Sequence, residues 1–287
     1  MDLCNVAVIK QLMESNGIKF RRDFGQNFLI RRSVPEDIAD SCADSEHCMI
    51  LEIGPGVGCL TQELALRYDK VVAVEIDRGL IPVLDITLGQ YDNVTVINED
   101  VMKLDLATLI PSLAEGREVC VCANLPYYIT TPILMRLLEC GVKFKSITIM
   151  IQSEVADRLC AAAGKGDYGA ITAVLGYYGT VKKLFTVPAS CFMPAPKVNS
   201  SVVRIDLYEN KKYTPKNEKL FFGVIRAAFE QRRKTLVNAI NSKYPSLSKQ
   251  DITDTLLSLG YSATVRGETL STEQFCELSD RLNELIV

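Results

Sequence analysis

Short runs of apolar, mostly β-branched residues recur through the first half of the chain, and longer amphipathic stretches separate them. The runs cover residues 49–51, 71–74, 94–97, 119–122 and 147–151. This alternation predicts βα units that build a parallel sheet. Beyond Gln152 the pattern predicts another helix, a glycine-rich loop over residues 164–169, and later strands over 185–187 and 200–207.

The last part of the chain has a different, helical periodicity. It predicts helices over residues 220–240, 249–259 and 272–286. The polar segment 209–219 precedes them, lacks apolar periodicity and contains Pro215. We therefore predict an α/β domain over residues 1–208 and a small all-helical domain over residues 209–287.

Charge is distributed unevenly over the 287 residues, although the net charge is only −3. Residues 37–120 carry sixteen acidic and five basic side chains, whereas residues 211–250 carry ten basic and two acidic ones. A basic segment of this kind indicates a polyanionic partner, which the net charge alone conceals.

The ten cysteines mostly lie in apolar runs, where cysteine behaves as a small hydrophobic residue. The N-terminal segment lacks the features of a secretory signal, and no apolar stretch reaches the length of a membrane helix. We expect a cytoplasmic protein with reduced thiols and no membrane association. With a single histidine and no paired Cys-x-x-Cys motifs, no metal site is predicted.

The first predicted strand runs into a turn with glycines at positions 54, 56 and 58. This spacing fits the dinucleotide fingerprint G-x-G-x-x-G imperfectly. Glu75 and Asp100 follow the next two strands, where they could accept hydrogen bonds from ribose hydroxyls and an adenine amine. These features fit NAD, ATP or S-adenosylmethionine. The absence of Gly-Lys-Ser/Thr after the turn excludes a P-loop nucleotidase.

Polar residues follow four successive strands, namely Glu52, Glu75, Asp100 and Asn124. Because the carboxyl ends of parallel strands share one edge of a sheet, we expect these residues to line one crevice.

The segment Asn-Leu-Pro-Tyr-Tyr that begins at Asn124 suggests amine chemistry. The Asn124 oxygen and a nearby backbone carbonyl could accept both N–H bonds of an adenine amine, localising its lone pair for attack on a methyl sulfonium. Tyr127 would offer a stacking face for a base removed from its helix.

With three further motifs, this segment resembles the KsgA family of ribosomal RNA adenine dimethyltransferases. The other motifs are Phe-Gly-Gln-Asn-Phe-Leu at 24–29, Leu-Glu-Ile-Gly-Pro-Gly-Val-Gly at 51–58 and Pro-Ala-Pro-Lys-Val-Asn-Ser-Ser-Val-Val-Arg at 194–204. The resemblance extends from about residue 18 to near the C-terminus. It implies a Rossmann-like class I methyltransferase domain with a small C-terminal helical domain.

The resemblance also implies the reaction and the residues that perform it. The reaction would be double methylation by S-adenosylmethionine of N6 of two adjacent adenines near the 3′ end of 16S rRNA, by a monomer acting on the immature small subunit. The catalytic residues would be Asn124, Leu125, Tyr127 and Phe192. The cofactor would be bound by Asn27, Leu29, Gly54, Gly56, Glu75, Asp100 and Asn124.

Two basic clusters are candidate RNA contacts. Arg21 and Arg22 precede the Gln-Asn-Phe-Leu motif, and Arg232, Arg233 and Lys234 lie in a segment that we predict to be helical. Such side chains position RNA through its phosphates without reading its sequence.

Three alternative functions remain. The same core motifs occur in Erm-type enzymes, which methylate large-subunit rRNA. The chain could also be an RNA-binding assembly factor in which catalysis is secondary. An NAD dehydrogenase is disfavoured by the glycine spacing and by the loop at Asn124.

Overall fold

A computed structural model describes residues 1–18 and 26–286. Its contacts divide the chain into two compact units. The first contains Met1–Ala156 and Lys182–Glu209. The second contains Asp157–Val181 and the residues from Asn210 onward.

Nine strands form the sheets in the described residues. They are β1 (Phe28–Leu29), β2 (Cys48–Ile53), β3 (Lys70–Glu75), β4 (Val94–Asn98), β5 (Glu118–Asn124), β6 (Phe144–Gln152), β7 (Gly179–Val187), β8 (Phe192–Met193) and β9 (Ser200–Leu207). Seven of them form one sheet in the order β4-β3-β2-β5-β6-β9-β7, while β1 pairs with β8. Strands β2 to β6 run parallel to one another and β9 is antiparallel to β6. All five predicted parallel strands are therefore confirmed.

The strand order places β2 at the centre of the parallel part of this sheet. Every residue of β2 is buried, which is typical of a strand covered on both faces. The helices of this part of the chain are α1 (Val6–Ser15), α2 (Ser33–Asp40), α3 (Cys59–Ala65), α4 (Ile81–Leu88), α5 (Leu106–Ala114), α6 (Thr130–Glu139) and α7 (Ser153–Leu159). Because β2 and β3 are adjacent, the turns that follow them lie side by side.

The second unit is helical. Beyond the end of α7 it contains α8 (Ala170–Tyr178), α9 (Glu218–Glu230), α10 (Leu236–Lys243), α11 (Lys249–Ser258) and α12 (Thr272–Asn283). Phe221 and Phe275 are fully buried in it. Capping boxes that begin at Ser248 and Ser271 fix the starts of α11 and α12. No helix in the described part of the chain is long and apolar enough to cross a membrane.

The prediction of one helix over residues 220–240 is wrong. Helix α9 ends at Glu230, and α10 begins only after Thr235, whose side chain accepts a hydrogen bond from the Asn238 amide. A threonine that caps a helix in this way adopts extended backbone angles, so it interrupts the preceding helix. Arg232, Arg233 and Lys234 consequently lie in a turn and not on a helix.

The segment 157–181 also differs from the sequence prediction, which placed it in the first domain. By its contacts, this segment belongs to the same compact unit as the C-terminal helices. Tyr177 explains part of this grouping, since its hydroxyl donates to Glu218 at 2.6 Å and its ring packs against Phe221. Helix α8, which contains Tyr177, was not predicted. Helix α12 ends at Asn283, short of the predicted 286.

Candidate active site

A cleft opens at the carboxyl ends of β2, β3 and β5. Its walls come from the turn after β2, the end of β3, the loop after β5 and the segment around β1. Of the four polar residues expected to share a crevice, Glu52, Glu75 and Asn124 line this cleft. Asp100 is not among its lining residues.

The turn after β2 requires its glycines. Gly54, Gly56 and Gly58 have φ values of +73°, +62° and +89°, a region that side chains disfavour. A Cβ atom on Gly56 would also lie 3.2 Å from the Phe28 ring. This backbone can therefore approach a ligand closely, and both Gly54 and Gly56 line the cleft.

Glu75 joins the end of β3 to the glycine turn. Its carboxylate accepts hydrogen bonds from the Gly56 amide at 3.2 Å and from the Asp77 amide at 2.7 Å. Burial raises the pKa of Glu75 to about 7, although these amide donors favour the charged form. The position suits a carboxylate that accepts hydrogen bonds from a bound hydroxyl.

Glu52, in β2, is the most deeply buried carboxyl of the cleft, with 1% of its surface exposed. Its Oε2 atom has no hydrogen-bond partner among the described residues. Burial raises the pKa of Glu52 to about 8 and outweighs the nearby Thr61 hydroxyl, which lowers it. Glu52 was expected at the crevice, but no role follows for it from the sequence.

The loop after β5 is held firmly by backbone hydrogen bonds. The Leu125 amide donates to the Met150 carbonyl at 3.2 Å, and the Ile129 amide donates to the Pro126 carbonyl at 3.2 Å. Asn124 Nδ2 donates to the Asn27 carbonyl at 3.4 Å. This orientation leaves Oδ1 of Asn124 as the acceptor that can face a substrate.

Two tyrosines in this loop have different surroundings. The Tyr127 hydroxyl is hydrogen-bonded to the Ser200 hydroxyl at 2.8 Å, which holds the half-buried ring in place. Tyr128 lines the same cleft and is 63% exposed. The exposed ring is a candidate contact that the sequence analysis did not single out, because side-chain exposure within a turn has no local sequence signal.

Strand β1 brings the N-terminal motif to the cleft. Asn27 and Leu29 both line it, and Leu29 pairs with Phe192 of β8. Gln26 Nε2 donates to the Asp77 carboxylate at 3.0 Å, which ties this segment to the turn after β3. Arg21 and Arg22 lie outside the described residues.

Two predicted site residues are not brought to the cleft wall. Phe192 is 3% exposed and belongs to the hydrophobic core that contains Phe28 and Leu29. Asp100 follows the end of β4, and its carboxylate accepts a hydrogen bond from the Met102 amide at 2.9 Å.

The basic cluster of the second unit contains two kinds of residue. The Arg232 guanidinium donates to the carbonyls of Gly166 and Tyr168, at 3.1 and 2.7 Å, and thereby supports the glycine-rich loop. Arg233 and Lys234 are exposed, and neither has a side-chain hydrogen bond or ion pair among the described residues.

Comparison with known proteins places these features in a family. The family model described as ribosomal RNA adenine dimethylase matches residues 17–284. The chain is 48% identical over 273 residues to ribosomal RNA small subunit methyltransferase A of Alkaliphilus oremlandii, a match that covers 95% of each chain. The protein of the same name from Bacillus pumilus is 40% identical over 288 residues, with 99% of each chain covered.

Solved structures agree with this assignment. A dimethyladenosine transferase from Plasmodium falciparum superposes with a TM-score of 0.78 at 26% identity, covering 90% of this chain and 98% of that one. The 23S rRNA methyltransferase ErmE superposes with a TM-score of 0.68 at 25% identity, covering 90% and 100%. The predicted class of fold, a methyltransferase sheet followed by C-terminal helices, is confirmed.

Proposed function

Because the chain belongs to the ribosomal RNA adenine dimethylase family, we propose that it dimethylates N6 of two adjacent adenines near the 3′ end of 16S rRNA, with S-adenosylmethionine as the methyl donor. The observation that carries this proposal is the cleft, in which the glycine turn, Glu75 and Asn124 meet. The small-subunit substrate follows from the name of the relatives at 40–48% identity. We propose that the protein acts as a monomer on the immature small subunit.

The residues of the cleft fit S-adenosylmethionine. A turn without side chains at Gly54 and Gly56 leaves room for a ligand, and a buried carboxylate at Glu75 can accept hydrogen bonds from ribose hydroxyls. By family resemblance, Asn27 and Leu29 would hold the methionine end of the cofactor. The resemblance also assigns the adenine to Asp100, although Asp100 does not line the cleft. When bound, the cofactor supplies an electrophilic methyl group on a sulfonium.

In this proposal, Asn124 binds the amine of the target adenine, which is the nucleophile. Since its Nδ2 atom donates to the Asn27 carbonyl, its Oδ1 atom can accept one N–H of the target amine. A backbone carbonyl of the same loop, at Leu125, accepts the other. With both N–H bonds engaged, the amine lone pair is less delocalised into the ring and is directed at the methyl group. This arrangement needs no cysteine or metal.

Tyr127 provides the stacking face for the extruded adenine, because its bond to Ser200 keeps the ring rigid. Base–aromatic stacking is worth about 1–3 kcal/mol. Phe192 was predicted to be a catalytic residue. Direct contact with a base would require the Phe192 ring to leave the core. We therefore propose that the exposed ring at the mouth of the cleft, which contacts the base in place of Phe192, is that of Tyr128.

Incubation with labelled S-adenosylmethionine and immature ribosomal subunits tests the proposal. We expect dimethyladenine in small-subunit rRNA and none in large-subunit rRNA. Labelling of large-subunit rRNA alone would favour the Erm-type alternative, which the similarity to ErmE keeps under consideration. The absence of dimethyladenine from both RNAs would refute the proposed activity.

Glu75→Ala should weaken cofactor binding by about 10- to 100-fold, because hydrogen bonds to a charged group are worth about 1.5–3 kcal/mol. Isothermal titration calorimetry measures this change directly. Glu75→Gln is the matched variant, since it keeps one acceptor oxygen and the shape of the side chain, and we expect a smaller loss. Unchanged affinity in Glu75→Ala would exclude the ribose role.

Arg233→Ala and Lys234→Ala should each weaken binding to the small subunit. Each should also reduce the number of counterions released on binding, which the salt dependence of the affinity reports, by about one. Both side chains are exposed and free of the bonds that hold Arg232. Arg232→Ala should instead lower the urea midpoint of unfolding, because it removes two hydrogen bonds to backbone carbonyls. Lys219→Ala, an exposed lysine of the same unit, controls for the loss of one positive charge. Equal effects of all four substitutions on RNA binding would point to net charge alone.

A further inference from the structure

Two cysteines that lie far apart in the sequence meet beside the cleft. Cys4 Sγ and Cys59 Sγ are 3.0 Å apart, and each residue is 9% exposed. Cys4 lies in the turn that precedes α1, and Cys59 is the first residue of α3, directly after Gly58 of the glycine turn. The proposed methyl transfer uses neither thiol.

A second cavity borders this pair. Cys4 and Cys59 line it together with Asp2, Arg32 and Tyr91. Cys59 also lines the main cleft. Both cysteines therefore border a cavity, although neither side chain is on the open surface.

The surroundings of the pair favour different protonation states for its two thiols. The hydrogen bond with Cys59 lowers the pKa of Cys4, and the charge of Arg32 lowers it further, while burial and the Asp2 carboxylate act in the opposite direction. The same hydrogen bond and burial raise the pKa of Cys59. Since the thiolate is the nucleophile in thiol oxidation, Cys4 is the thiol that reacts first.

We propose that Cys4 and Cys59 form a modification site for hydroperoxides, at which oxidation closes a disulfide between the N-terminal turn and the helix that follows the glycine turn. The Cys4 thiolate attacks the peroxide, the O–O bond breaks, and Cys4 becomes a sulfenic acid. The departing hydroxide takes up the proton that the Cys4 thiol had released, which gives the first water. The Cys59 sulfur then displaces the hydroxyl group, which leaves as a second water with the Cys59 proton. Two thiols and one hydrogen peroxide thus give one disulfide and two water molecules.

Other cysteines of the same unit provide an internal comparison. Cys42 interacts with Cys122, and Cys48 interacts with Cys120, but all four are at most 2% exposed within the hydrophobic core. The cavity beside Cys4 does not include them. Thiol proximity alone would predict disulfides at these pairs as well. Proximity combined with access predicts a disulfide, among the three pairs, at Cys4 and Cys59 only.

The experiment treats the folded full-length protein with hydrogen peroxide, blocks the remaining thiols by alkylation and maps the peptides without reduction. We expect one linked pair of peptides, joining Cys4 to Cys59, with the loss of two hydrogen atoms. The oxidised protein should melt a few degrees higher, because the bond closes a loop of more than fifty residues. Cys4→Ser should abolish both effects, and Cys276→Ser, which changes a half-buried cysteine of the second unit, should abolish neither.

Alkylation of Cys4 and Cys59 as free thiols after peroxide treatment would overturn the proposal. Equal or faster oxidation of Cys48 and Cys120 in the folded protein would also overturn it. Both readouts come from the wild-type protein, so the test stands even if Cys4→Ser fails to fold. Because neither depends on methyl transfer, failure of this proposal is distinguishable from failure of the proposed activity.

Discussion

Asn124→Ala should lower the rate of methyl transfer by about 10³-fold while leaving the fold intact. The substitution removes the side-chain oxygen that we assign to the target amine, and removal of one such preorganised hydrogen-bonding group costs about 10²–10³ in rate. It also removes the hydrogen bond to the Asn27 carbonyl, which at 3.4 Å is long and contributes little to stability. Single-turnover methylation of immature small subunits, with saturating cofactor, measures the chemical step.

Asn124→Asp is the matched variant for this prediction. It keeps an acceptor oxygen at the same position but loses the donor to Asn27, so we expect it to retain more activity than Asn124→Ala. Cofactor affinity measured by calorimetry separates a loss of chemistry from a loss of binding. Normal turnover in Asn124→Ala would refute the role given to this side chain.

The five parallel strands and the glycine turn could be predicted because their signals are local. Each buried strand is a short apolar run, and the glycines at positions 54, 56 and 58 are required by backbone angles that the sequence pattern indicates. The family resemblance assigns site roles to Asn27, Glu75 and Asn124, and the structure places all three at one cleft.

Other features depend on contacts between residues that are distant in the sequence. Phe192 is a core residue because β8 pairs with the two-residue strand β1, a pairing that no periodicity indicates. The role of Arg232 depends on carbonyls more than sixty residues away. The grouping of 157–181 with the C-terminal helices depends on bonds such as that from Thr272 to the Ala173 carbonyl, at 2.8 Å.

The break after α9 is a different case, because its signal is local but was overlooked. Thr235 is followed three residues later by Asn238, and the threonine side chain caps α10. The apolar periodicity continues through both helices, so a prediction from hydrophobic spacing alone joins them. A capping residue within a periodic segment is therefore informative even where the spacing is unbroken.

Glu52→Gln should make the protein's stability less sensitive to pH, with the largest gain over the wild type in mild alkali. Burial raises the pKa of Glu52 from its usual value of 4.5 to about 8 in the folded state. Between these values the folded protein holds a proton that the unfolded chain has lost. The stability that this proton contributes is fully present below about pH 4.5 and is lost as the pH rises through about 8.

The size of the effect follows from this linkage. Each pH unit in the window changes the free energy of unfolding by about 1.4 kcal/mol, so the wild type should lose at most about 4 kcal/mol relative to Glu52→Gln between pH 5 and pH 8. The glutamine cannot ionise, and it places an amide where Oε2 has no partner.

Urea midpoints of both proteins, measured without cofactor at several pH values, give the difference. Glu139→Gln removes an exposed carboxyl of the same unit and should give a difference that stays flat over this range. A flat difference for Glu52→Gln as well would mean that the buried carboxyl is already ionised in the folded protein, and hence that the cleft contains a compensating donor or bound cation.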